Sequence, residues 1–194
     1  STGTSIAETQ AGLASIISAP ASVNDDQASN VAQQGFDERQ NVTLTRNLNA
    51  DNGVILSSGS IVSSHMIFLN SETQDTNIFL GHRDVTWTFD AVILAIMSSA
   101  NASFEVASSY LSPTPDPSLS SSNATKLLGS TETTYPFFTS NGRGLEISTD
   151  SFDSYVVSAD KKSITVSMGV IEPGDWMRVV TAAKVPEPSS ILLI

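Results

Sequence analysis

The pentapeptide Val85-Thr86-Trp87-Thr88-Phe89 places a large apolar side chain at every second position, with threonine between. A period of two belongs to a half-buried β-strand, with Val85, Trp87 and Phe89 on the inner face and Thr86 and Thr88 on the outer. Downstream, Asp90-Ala91 lead into the nearly continuous apolar run 92–97. That run is too short for a stable helix and predicts a central strand. Upstream, Ile61-Val62-Ser63-Ser64-His65-Met66-Ile67-Phe68-Leu69 alternates in the same way. Both of its faces become apolar towards the end, so it predicts a strand covered on two sides.

The same grammar extends outward. Val42-Thr43-Leu44-Thr45 is a run of β-formers, followed by the turn signal Asn49-Ala50-Asp51-Asn52-Gly53. Strands are predicted over 152–158, 163–171 and 176–181, punctuated by Lys161-Lys162 and by Glu172-Pro173-Gly174-Asp175. In the second of these, Ile164, Val166, Met168 and Val170 share one face. Between 98 and 135 the chain loosens, and Pro113, Pro115, Pro117 and the serine-rich 118–123 predict a long surface loop. Residues 1–23 suit a short amphipathic helix through Ile6, Leu13, Ile16 and Ile17, or an extended arm through Thr2, Thr4 and Ile6; both remain open. Together these signals predict an all-β, antiparallel β-sandwich or jelly roll. The expected organisation is an N-terminal arm and polar loop (1–34), one sandwich domain (35–182) and a C-terminal tail (183–194).

Composition narrows the function classes. Twenty acidic residues against nine basic ones give a net charge of −11, which repels nucleic-acid backbones and anionic lipid. With no cysteine, disulfides, thiolate metal sites and thiol catalysis are excluded. The chain begins at Ser1 without a basic, then apolar, leader, so an exported protein is expected to have lost it already.

Signals for catalysis are weak, and no enzyme is expected. Of the two histidines, His65 lies mid-strand, where a hydrogen-bonded structural role is expected, and His82 follows Gly81 in an expected turn beside Arg83 and Asp84. No Gly-x-Ser-x-Gly elbow accompanies them. Glu146, Asp150 and Asp153 are the acidic residues available for a glycosidase pair, but spacing alone does not place them across a cleft. Calcium ligands are available in Asn24, Asp25 and Asp26 or in Asn49, Asp51 and Asn52, although these residues equally suit polar turns. Trp87 and Trp176 offer a sugar-stacking platform where exposed, and core packing where buried. In Asp175-Trp176-Met177-Arg178, Trp176 and Arg178 share a face, so the guanidinium is expected to stack on the indole.

The chain closes with Val185-Pro186-Glu187-Pro188-Ser189-Ser190-Ile191-Leu192-Leu193-Ile194. Two prolines fix φ and bias Val185 and Glu187 towards extended geometry, which makes a stiff peptide suited to recognition. Pro186, Glu187, Pro188 and Ser189 followed by apolar residues resemble the PEP-CTERM sorting signal of exported bacterial proteins processed by exosortases. In that family a membrane span and a basic tail follow. Here only four apolar residues do, against the about 20 a spanning helix needs, so the chain is expected to be cut or to stop within the signal.

The body resembles a recurrent ectodomain that precedes this signal. The matching segments are residues 59–70, Val85-Thr86-Trp87-Thr88-Phe89-Asp90, Arg143-Gly144-Leu145-Glu146 and residues 172–181, together 32 of the 194 residues. The resemblance implies a cell-surface or extracellular-matrix protein, exosortase as an export partner, and no catalytic residues. The expected function is that of a noncatalytic structural protein, a homo-oligomer or a filament assembled through its terminal arms. The alternative is a carbohydrate-binding module retained in exopolysaccharide.

Overall fold

Period-two patterning yields twelve strands and one short helix among the described residues. The computed structural model describes residues 4–10, 12–24, 31–70, 79–112, 125–136, 143–147, 152–171 and 174–184. The strands are β1 (Ile6–Thr9), β2 (Ala14–Ile16), β3 (Gln33–Asp37), β4 (Val42–Thr43), β5 (Leu48–Asn49), β6 (Ile55–Leu56), β7 (Ile61–Leu69), β8 (Leu80–Phe89) and β9 (Ile93–Met97). Helix α1 (Ser103–Ser109) follows, then β10 (Ser154–Val157), β11 (Ser163–Val170) and β12 (Asp175–Ala182). One sheet has the order β1-β8-β11-β10, and the other β2-β3-β7-β12-β9, with β4 also paired to β7. All these pairings are antiparallel except β2 with β3.

The two sheets face each other across one apolar core. Val85, Trp87 and Phe89 of β8 and Ile164, Val166, Met168 and Val170 of β11 meet Ile67, Leu69, Met177 and Val179 of the other sheet. This is the sandwich that alternation predicts. Strand β7 is buried from Val62 to Leu69 because the other face of its sheet is also covered. There Met66, Phe68 and Trp176 pack with Val106 of α1, Tyr110 and Tyr135, while Val62 and Val180 pack with Leu127 and Leu128. The protein therefore has three layers: a sheet, a second sheet, and a cover made from α1 and the segment 125–136.

Several expectations are corrected. Of the two readings of the N-terminal segment the extended one holds for the described residues, although it does not stand free. Ile6 enters the core, its N–H donates to Asp37 Oδ1 (2.9 Å), and β1 closes the free edge of β8. Strand β2 then joins the other sheet, so these residues belong to the sandwich and a boundary at 34/35 would cut β3. Strand β9 is not central: among the described residues it pairs only with β12 and forms an edge. Its apolar run reflects burial on both faces, Ile93 and Ile96 in the main core and Ala95 and Met97 under the cover. His82 sits within β8 rather than in a turn.

Helix α1 interrupts a stretch whose serines and prolines suggest only loop. Asn101 Oδ1 accepts the Ser103 N–H (3.2 Å) and Ser99 Oγ accepts the Phe104 N–H (3.2 Å), meeting donors that a helix start leaves open. The expected proline-rich loop over 113–124 lies outside the described residues. The predicted turn at Asn49–Gly53 is observed: Asp51–Gly53 forms a single 3-10 turn joining β5 to β6, with Asn52 (φ 56°) and Gly53 (φ 73°) left-handed.

Trp87 locks the sheets together. Its indole N–H donates to Gln33 Oε1 (3.0 Å), and Gln33 Nε2 in turn donates to the Val166 carbonyl (3.3 Å) on the opposite sheet. The ring lies so close to Gly35 that a Cβ there would stand 2.5 Å from Trp87 Cζ3. A methyl at this position must push the largest core side chain aside. Gly35→Ala is therefore expected to destabilise the fold by about 1–3 kcal/mol, as overpacking does; a urea midpoint equal to that of the unaltered chain would contradict this packing.

Candidate functional site

The two tryptophans do not form a sugar platform. Trp87 and Trp176 are both 0 % exposed, one between the sheets and the other beneath the cover. Trp87 lies on the inward face of half-buried β8, and Trp176 on the cover side of β12, a strand buried on both faces. Exposed aromatic surface lies instead on Phe79, which is 52 % exposed and meets Phe152 edge-on at 5.2 Å. These rings rest on the cross-strand pair Gly81 and Gly169, where any Cβ would come within 3 Å of them, and Arg83 lies 3.8 Å over Phe152. Flat glycines seat the rings, so packing alone accounts for this cluster.

His65 is a satisfied interior group. Its Nδ1 lies 2.7 Å from Asp37 Oδ1 and its Nε2 lies 3.0 Å from Thr181 Oγ1, with Phe89 alongside. His82 meets the Val31 carbonyl at 2.9 Å. Asp25, Asp26, Asp150 and the motif Pro186, Glu187, Pro188 and Ser189 lie outside the described residues. Among the described residues no set of three or more His, Cys, Asp or Glu is grouped to hold a metal ion. No described helix is long and apolar enough to cross a membrane.

Arg178 is the centre of a buried polar network, and its partner is not the expected indole. Its Nε–H donates to Glu38 Oε2 (2.6 Å) and Nη2 donates to Glu38 Oε1 (2.7 Å), a two-point pair in which both side chains are fully buried. The remaining donors reach the Glu105 carbonyl (2.8 Å), Ser108 Oγ and Ser109 Oγ (3.0 Å) at the C-terminal end of α1. Tyr135 O–H donates to Glu38 Oε1 (2.7 Å), and its ring stacks on Trp176. Sequence places Trp176 and Arg178 on one face correctly; the carboxylate that pairs with Arg178 stands 140 residues away, where no spacing rule reaches.

Asp51 anchors the site that remains open to solvent. Its Oδ1 accepts the Ser98 N–H (3.0 Å), and its Oδ2 accepts Ser98 Oγ–H (2.6 Å) and Tyr155 O–H (3.0 Å). One carboxylate thus joins the β5–β6 turn, the end of β9 and strand β10. Beside it opens a cleft of about 560 Å³ lined by Asn52, Phe104, Glu146, Ile147 and Tyr155. Asn52 Nδ2 donates to Tyr155 O–H (3.3 Å), which holds the phenol ring at the cleft wall. Three acceptor positions of Asp51 are therefore taken by its own neighbours, Ser98 and Tyr155.

Two of the acidic residues named from sequence do come together. Asp153 Oδ2 accepts the Glu146 N–H (3.2 Å), and Asp153 Oδ1 accepts the Gly169 N–H (2.8 Å). Burial, and then Asp153, raise the Glu146 pKa, and burial raises that of Asp153. Asp175 joins them unannounced, held well above the carboxylate range by burial and by both neighbours. In α1, burial pushes Glu105 up to about 8, and its Oε1 has no hydrogen-bond partner.

No family model, no curated protein and no solved structure matches this chain. The site must therefore be read from its own residues.

Two outcomes test these electrostatics. Arg178→Ala strands a buried carboxylate and is expected to cost about 3–5 kcal/mol in urea unfolding, with Arg178→Lys unable to restore the fork geometry. An Arg178→Ala variant within about 1 kcal/mol of the unaltered protein would deny the network its role. Glu105 ionises near 4.5 when unfolded and near 8 when folded. Its stabilising contribution is therefore complete below pH 4.5 and is lost as pH rises to 8. Glu105→Gln should match the unaltered protein in thermal midpoint at about pH 4 and exceed it at about pH 8.5. Equal midpoints at both pH values would show that Glu105 ionises freely in the folded state.

Proposed function

We propose that this chain is an exported, noncatalytic protein of the bacterial cell surface or extracellular matrix. The observation that supports the noncatalytic half is the commitment of Arg178, Glu38, Tyr135 and His65 to interior bonds that hold sheets and cover together. These four side chains, each able to transfer a proton or stabilise charge, thus serve structural roles. The export half rests on the resemblance of Pro186-Glu187-Pro188-Ser189 to a sorting signal and on an acidic, cysteine-free composition.

Filament growth by a donated N-terminal arm is not part of this proposal, because β1 and β2 are already paired within their own chain. Self-association falls instead to the edge strands β9 and β10, where Leu94 and Val156 are exposed. The cleft beside Asp51 favours a second reading, a carbohydrate-binding module. It combines half-buried aromatic faces with fixed polar groups, the composition of a small-molecule site.

Export is tested in an exosortase-bearing host with the full gene. The unaltered protein is expected in the surface or medium fraction. Pro186→Ala, Glu187→Ala and Pro188→Ala together should leave it cell-associated. Equal intracellular retention of both forms would refute export through this signal.

A further inference from the structure

The cleft offers an unequal set of groups to a ligand. Phe104 and Tyr155 present ring surface, and Ile147 is an exposed apolar side chain at its rim. The polar groups are chiefly acceptors. An ionised carboxylate has about four acceptor sites, and internal donors fill three on Asp51. The Glu146 side chain is exposed, and the Asn52 amide nitrogen is engaged by Tyr155, which leaves its carbonyl oxygen towards solvent. Ser98 Oγ–H and Tyr155 O–H, the hydroxyl donors nearby, both point at Asp51 and away from an incoming molecule. A ligand for this cleft must bring its own donors and one apolar face.

We infer that the cleft binds a sugar ring bearing hydroxyl or amine donors, with Glu146 and Asn52 as acceptors and Tyr155 and Phe104 as the stacking surface, and that it rejects uronic acids. The inference rests on the carbohydrate-binding reading and names the ligand class within it. A sugar fits because each pyranose has a face of axial C–H groups over a rim of hydroxyls, which matches aromatic walls beside acceptors. Rejection of uronates follows from charge. Asp51 and Glu146 stand at the cleft, Asp153 lies beside Glu146, and the whole chain carries −11. A ligand carboxylate would meet repulsion with no cation among the described residues lining the cleft; Lys161 lines the adjoining groove on the other side of Asp51 and Tyr155. An amine at the ring gains from the same field.

Among the described residues, Asn52 and Glu146 allow a test that leaves the fold alone. Both are exposed. Asn52 sits at φ 56°, where glycine is at ease, so Asn52→Gly removes the amide without straining the turn. Backbone-amide NMR titrations would use three probes: a β-1,4-linked glucosamine tetrasaccharide, cellotetraose and tetragalacturonate, each up to about 10 mM. The glucosamine and glucose oligomers should shift Asn52, Ser98, Phe104 and Tyr155, with the amine-bearing one binding more tightly. Asn52→Gly and Glu146→Ala should each weaken binding at least about fivefold, the worth of one hydrogen bond. Tetragalacturonate should leave those signals in place. Preferential binding of the galacturonate at the cleft would overturn the inference and leave the carbohydrate reading standing. Shifts confined to the Phe79 and Phe152 surface, or affinity unchanged in both variants, would move the site elsewhere. Silence with all three probes would defeat the inference and the carbohydrate reading together, without touching export.

Discussion

All five N–H donors of Arg178 are used, and they reach three parts of the chain: Glu38 after β3, the C-terminal turn of α1, and through Glu38 the Tyr135 hydroxyl. A guanidinium taken out of water is tolerable only when paired and fully bonded. The cover over the second sheet satisfies that condition, and it is held in place by doing so. Its other attachments are apolar, with Val106 and Tyr110 against Met66 and Trp176, or hydrogen bonds to carbonyls, from Ser64 Oγ–H to Leu128 (2.7 Å), from Arg46 to Ala107 and Tyr110, and between Thr134 and residues 21–23. Burial of the outer face of β7, with Val62, Met66 and Phe68, depends on that cover staying shut.

Where the pattern of one strand carries the information, the sequence is readable. Val85, Trp87 and Phe89 and the set from Ile164 to Val170 point inward as alternation requires, and the two-faced end of β7 reports a layer on each side. The edge position of β9 is not readable, because an apolar run records burial and says nothing about hydrogen-bonded neighbours. Helix α1 has a local signal in Asn101, but its few apolar residues are diluted by serine and alanine. The N-terminal segment is decided by tertiary pairing with β8 and β3, which its short apolar spacings do not encode.

The cleft was legible only in fragments. Asp51 and Asn52 stand in a turn that sequence marks clearly, and Glu146 and Asp153 are recognisable as acidic residues of interest. Their meeting with Ser98, Phe104 and Tyr155 depends on how β9, α1 and β10 converge at one end of the sandwich. The tryptophans show the opposite case: chemically the most suggestive residues in the chain, they serve the interior. Function in this protein has to be sought where the network around Arg178 leaves groups facing solvent, and the cleft is such a place.

If Arg178 unites cover and sheet into one cooperative body, both must open together. Native-state hydrogen exchange measures this directly through the amides of Leu127, Leu128 and Ser130 in the cover and Met66 and Val179 in the sheet. The account predicts the same opening free energy in both groups, equal to that of global unfolding. Cover amides that exchange through a separate, much lower-energy opening while Met66 and Val179 remain protected would contradict it.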